Sequence, residues 1–235
     1  PWHFILYFDE TVPGNVLLQE KRRNIWCFYV TIREFGVDFL HREAAWIPLA
    51  VLRTSIVKQV EGGFSPCAKV LLQRLLLKPG NVRTEGVLVT RITDDNPEVL
   101  FLDLGNVLCD EAGLKAFWCA KGASGIKCCF FCANIVACDD EDDSLLAHDD
   151  ADGVVRDIRC GNTSEFLQLT DNEWLDQADT LAVLSTRVTQ TEFDDIEKAT
   201  GLNYSPQGVL WCPELRLLLQ PVSLSRYDPT HCFFL

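Results

Sequence analysis

The chain has 235 residues, 48% hydrophobic and 10% aromatic, which is material for one large packed domain or two small ones and not for a disordered segment. Its net charge of −13 argues against this segment gripping a nucleic-acid backbone by itself, which takes clustered Lys and Arg. No apolar run reaches the ~18–20 residues of a membrane-spanning helix, so no membrane partner is expected.

The chain opens at Pro1 rather than Met and shows no charged-then-apolar leader, so a segment of a longer intracellular protein is expected. His3 to Asp9 reads as an apolar strand, broken by Thr11 to Asn15. Lys21, Arg22 and Arg23 form a short basic patch. Asn24 to Phe35 and Trp46 to Thr54 read as a second and third strand. Ser65 and Pro66 open a helix through Lys78, with Leu71, Leu72, Leu75 and Leu76 on one face.

Gly86 to Ile92 and Val99 to Leu108 are predicted to form a hairpin through a turn at Thr93 to Pro97, its second strand delivering Asp110. Leu114, Phe117 and Trp118 recur at helical spacing, so a helix begins near Asp110. Asp139 to Asp152 holds eight carboxylates and reads as an exposed loop. As a calcium loop it fails: with Gly153 in sixth place, His148 falls first and Arg159 twelfth. Thr170 with Glu173, and Thr189 with Glu192, make two capping boxes, each opening a helix, and Gly201 closes the second. Tyr204 to Pro221 reads as loop, strand and turn. The expected fold is α/β: a mixed sheet of the first three strands and Val99–Leu108, with His3–Asp9 central.

Two kinds of residue carry chemistry. Asp9 and Asp110 each end an apolar strand, where α/β sheets gather ligands. Strand-strand-strand-helix-strand with such carboxylates is the plan of the ribonuclease H-like fold, in which hard oxygen ligands hold two divalent metals. The alternative is that both simply cap turns. Asp103 is a rival to Asp110, disfavoured because a mid-strand charge would be buried at large cost. The other feature is the C-x-x-C of Cys129 and Cys132, a spacing that lets two thiolates reach one zinc. Further ligands could come from His148, Cys160, Asp228, His231 or Cys232, and Cys128 and Cys138 flank the pair. A redox pair fits less well, because the strand-helix setting of thioredoxin is missing. Eleven cysteines, an odd count, read as reduced thiols, with Cys27, Cys67 and Cys109 as small buried hydrophobes.

Four blocks, YFDETVPGN, NIWCFYVTIREFG, GNVLCDEAGLKAFWCAKGASGIKCCFFCANIV, and NYSPQGVLWCPELR with SRYDPTH, resemble transposase-like proteins found in many copies in dinoflagellate genomes. More distantly they resemble the CACTA and Plavaka cut-and-paste transposases. The resemblance runs from Asp9 to His231. It implies a ribonuclease H-like core with an Asp-Asp-Glu triad, in which Asp9 and Asp110 hold Mg²⁺ or Mn²⁺. It also implies that Cys129 and Cys132 meet Asp228 and His231, around zinc or as a packing cluster, in an insertion. Relatives read Asp-Trp-Met-His where this chain has Asp228-Pro229-Thr230-His231.

On this resemblance residues 1–128 are the first part of the core and 129–235 an insertion, with the third carboxylate, a Glu, falling beyond Leu235. The expected function is a fragment or decayed copy of the catalytic core of a DDE-type DNA transposase, nuclear if functional. DNA would be gripped through regions outside this segment, with a homo-oligomer as the expected assembly. The alternative is a non-catalytic, zinc-stabilised binding module on the same fold. Lacking its third carboxylate, the chain as given is expected not to cleave DNA at a useful rate.

Overall fold

A computed structural model of the chain describes residues 1–13, 24–91, 94–122, 125–127, 129–136, 147–150, 153–157 and 163–228. In chain order come β1 (Trp2–Thr11), β2 (Ile25–Ile32), α1 (Val37–Leu40), β3 (Ile47–Arg53), α2 (Thr54–Val57) and α3 (Phe64–Leu76). Then follow β4 (Val87–Arg91), β5 (Asp94–Leu100), β6 (Leu102–Cys109), α4 (Glu111–Trp118), β7 (Ile135–Val136), β8 (Ala147–Asp150) and β9 (Gly153–Asp157). The described chain ends with α5 (Asp171–Leu184), α6 (Gln190–Thr200), α7 (Pro213–Arg216), α8 (Pro221–Leu224) and β10 (Ser225–Tyr227). Among the described residues no helix is long and apolar enough to cross a membrane.

The main sheet has five strands in the order β10-β6-β1-β2-β3. β1 is central, parallel to β6 and antiparallel to β2, as the sequence predicts. β3 is antiparallel to β2, and β10 is parallel to β6, so β2 alone runs against the others.

One sheet face is the core. Phe4, Leu6 and Phe8 alternate along β1 and are fully buried. Phe8 packs its ring 5.1 Å from Phe64 at the start of α3, 5.3 Å from Phe117 on α4 and 5.7 Å from Phe28 on β2. α3 presents Ala68, Leu72 and Leu76 at four-residue spacing, and α4 presents Leu114, Phe117 and Trp118. The opposite face of β1, with Ile5, Tyr7 and Asp9, is only half-buried. A single buried core runs from Phe4 to Leu224, so β10 and the C-terminal helices pack into the same interior as β1.

Two small devices fix the sheet around β6. Phe4 pairs with Leu104 but Ile5 pairs with Asn106, so Gly105 is an extra residue in β6. A Cβ at Gly105 would lie 2.6 Å from His3 Cβ and 3.3 Å from the Phe4 carbonyl oxygen. On the other side, the Trp118 Nε1–H donates to Ser225 Oγ (2.7 Å), and the Ser225 hydroxyl donates to the Pro221 carbonyl (2.5 Å). Asp171, the first residue of α5, accepts from the backbone N–H groups of Val222 (2.7 Å) and Ser223 (3.0 Å). These bonds hold α8 so that its continuation reaches β6.

Both capping boxes form as predicted, on Thr170–Glu173 and Thr189–Glu192, and Gly201 closes α6 with φ +75°. Three expectations are corrected. The hairpin partner of β4 is β5, which includes Pro97 and stops at Leu100, and the strand that leads to Asp110 is a separate element, β6. The continuous apolar run hid this switch at exposed Phe101, where Val99 and Phe101 face solvent instead of the core. The predicted strand after Tyr204 is a short 3₁₀ turn at Val209–Trp211 followed by α7. Pro213 favours that helical start. Asp149 and Asp150 of the acidic stretch lie in β8, paired with β9, while residues 137–146 lie outside the described residues.

Candidate functional site

Strand register decides which side chains share the carboxyl edge of the sheet. After the Gly105 bulge, β1 and β6 pair as far as Tyr7 with Leu108, and continuing two residues puts Asp9 beside Asp110. Without the bulge Asp9 would stand beside Cys109. β10 pairs as far as Tyr227 with Cys109, and the Asp228 N–H donates to the Cys109 carbonyl at 2.9 Å, so Asp228 stands on the other side of Asp110. Asp9, Asp110 and Asp228 thus occupy one level on three adjacent parallel strands. Neighbouring strands lie about 4.8 Å apart.

Asp110 is also the N-cap of α4. Its Oδ1 accepts from the Gly113 N–H at 2.6 Å, satisfying one of the helix's open donors. Gly113 is required there: a Cβ would run into Cys109 Sγ and lie 2.9 Å from Asp110 Oδ1. Asp103, the rival carboxylate, stands near the start of β6 opposite His3, at the far end of the sheet from Asp9. It is not buried mid-strand as supposed, but ion-paired to Arg83 Nε at 2.7 Å.

A cavity of about 1020 Å³ opens on the half-buried sheet face beside the carboxylate edge. Asp9, Asp228, Leu108, Tyr7, Tyr29 and Trp46 line it, with His41 and Glu43 also in the lining. Burial, then the negative charges of Asp9, Asp228 and Asp110, push the Tyr7 phenol above its ordinary range. It therefore stays a neutral O–H donor at any physiological pH. Burial first, then Asp110 and Asp9, likewise pushes the Cys109 thiol up. All three carboxylates thus act on Tyr7, and Asp110 and Asp9 act on Cys109 as well.

Their donor chemistry suits a hard divalent cation, since carboxylate oxygens are what Mg²⁺ and Mn²⁺ prefer. As the side chains stand, no group of three or more His, Cys, Asp or Glu converges closely enough to hold a metal among the described residues. Asp110 would have to turn from the Gly113 N–H to join Asp9 and Asp228.

The thiol pair does not line this cavity, but Phe131, between the two cysteines, packs its ring 5.0 Å from that of Tyr227, the residue before Asp228. Cys129 and Cys132 are half-buried, and Cys132 bridges Gln168 through its backbone. Burial pulls the Lys127 ammonium below its ordinary range, and the charges of Glu173, Cys129 and Cys132 offset that only in part. Asp228, which the resemblance pairs with these cysteines, lies at the sheet edge in the cavity with Asp9. His231, Cys128, Cys138, Cys160 and Cys232 lie outside the described residues.

The cavity's aromatic wall went unread in the sequence. Tyr7, Tyr29 and Trp46 looked like ordinary strand residues, and only the pairing of Tyr7 with Tyr29 and of Val30 with Ile47 brings them together. No family model, curated protein or solved structure matches this chain.

Proposed function

We propose that the chain is a ribonuclease H-like core of DDE transposase type, built for metal-dependent cleavage and transfer of DNA phosphodiesters. The observation that carries this reading is the common level of Asp9, Asp110 and Asp228 across β1, β6 and β10. The element order supports it: three strands, a helix, then strands parallel to the first. A divalent cation at that edge would activate the attacking oxygen and stabilise the leaving one. Asp9 and Asp228 would ligate it, with Asp110 joining once turned from the Gly113 N–H, and Asp228 would take the place of the third carboxylate that the resemblance puts beyond Leu235. Tyr7, held neutral, would orient the neighbouring carboxylates through its O–H.

The test is a nicking assay on supercoiled plasmid with Mn²⁺. The reading expects slow nicking that is lost in Asp9→Asn, Asp110→Asn and Asp228→Asn and kept in Asp103→Asn. Nicking that survives all three edge substitutions, or no nicking at any Mn²⁺ concentration, counts against it.

A further inference from the structure

The cavity is far larger than a cation and a phosphate need, and its surplus is aromatic. Tyr7 stacks on Tyr29 (ring centroids 6.1 Å, interplanar 28°) and meets Trp46 edge-on (5.6 Å, 64°). All three rings are half-buried, so each keeps some open surface. They are also held in place. The Trp46 Nε1–H donates to the Leu40 carbonyl at 3.0 Å, and Tyr29 and Tyr7 sit in paired strands. Pre-ordered rings beside an open space lose little entropy when a planar group stacks on them. The lining carries three carboxylates, Asp9, Glu43 and Asp228, and the rings are its uncharged surface. A neutral planar group suits the rings, and an anion is tolerated beside the carboxylates only with a cation between them.

We propose that the Tyr29 and Trp46 wall stacks an unpaired nucleobase of a DNA strand whose adjoining phosphate lies at the Asp9–Asp228 edge. This rests on the phosphodiester reading above and adds the substrate class: a strand with an unstacked nucleotide next to the reacting bond, not intact duplex. Every base has a π-face, so the stack would be tolerant of sequence.

The test uses a DNA oligonucleotide carrying one 2-aminopurine, with Ca²⁺ to hold the phosphate without cleavage. Ca²⁺ binding is titrated separately by calorimetry. The proposal expects the fluorescence to be quenched on binding. Tyr29→Leu and Trp46→Leu should each weaken oligonucleotide affinity about tenfold and remove the quenching, with Ca²⁺ affinity unchanged. Tyr29→Phe keeps the ring and should keep the quenching. In the wild-type chain, an oligonucleotide abasic at the probe position should bind about tenfold more weakly than the base-bearing one. Ca²⁺ binding that depends on Asp9 and Asp228 but brings no quenching, or abasic DNA that binds equally well, overturns the base site and leaves the metal reading standing. Absence of Ca²⁺ binding overturns both.

Discussion

Replacing Ser225 with Ala tests how the short strand β10 is held against the core. Ser225 is 1% exposed, and its hydroxyl joins Trp118, itself fully buried, to the Pro221 carbonyl. The substitution removes about one oxygen's volume, so packing changes little. Its cost lies in the groups left behind: the Trp118 Nε1–H loses its acceptor and the Pro221 carbonyl loses its hydroxyl donor. A buried polar group stripped of its partner costs about 1–3 kcal/mol. The carbonyl can be partly re-satisfied nearby, so the expected total is about 2–3 kcal/mol, nearer the cost of one orphan than two. Urea unfolding followed by circular dichroism should show a lower midpoint with an unchanged slope. A double-mutant cycle isolates the bond. On a Trp118→Phe background the indole donor is already gone, so Ser225→Ala should cost about 1 kcal/mol less. Loss below about 0.5 kcal/mol in the wild-type background, or strict additivity in the cycle, would refute the view that this bond anchors β10.

Other outcomes follow from the same geometry. Gly113→Ala should destabilise by about 1–3 kcal/mol through overpacking against Cys109 and Asp110, and Cys109→Ala should restore part of that in urea titrations. Gly105→Ala strains the bulge that brings Asp110 beside Asp9, so it should weaken Mn²⁺ binding, measured by calorimetry, as well as stability. Thr189→Ala removes an N-cap and should cost about 1 kcal/mol in thermal unfolding. Burial pushes the Glu34 carboxyl up, but hydrogen bonds from the His3 backbone N–H (2.9 Å) and ring Nδ1 (2.8 Å) outweigh it and hold the carboxyl at about 2. A depressed folded-state pKa stabilises above the ordinary carboxylate range, and the benefit fades as pH falls toward about 2. Glu34→Gln should therefore be less stable than the wild type at pH 7, with the gap closing in urea titrations taken from pH 4.5 downward.

What could be read from the sequence was set by local rules. Thr170, Glu173, Thr189 and Glu192 state their helix starts within four residues, and both boxes form. The apolar strands are strong enough to define β1, β2 and β3, and the centrality of β1 follows from its burial. The misses share a cause, which is that pairing is not local. Val99 to Leu108 is one apolar run, yet Leu100 pairs with Val87 and Leu102 pairs with Trp2, so two sheets meet inside it. Ser225 to Tyr227 is too short for any period to show, and only its pairing with Val107 to Cys109 brings Asp228 to the carboxylate edge. Tyr29 and Trp46 lie in a strand and before one, and nothing in their spacing says that they face the same space as Asp9.

The central claim is that Asp9, Asp110 and Asp228 hold a divalent cation at the carboxyl edge of the sheet. Anomalous X-ray scattering from crystals soaked in Mn²⁺ tests it most directly, because it separates this edge from the acidic stretch between Asp139 and Asp152. The account predicts a peak about 2.1 Å from carboxylate oxygens of Asp9 and Asp228, with Asp110 turned away from the Gly113 N–H toward it. Anomalous peaks confined to the acidic stretch, with nothing at the ends of β1, β6 and β10, would contradict it.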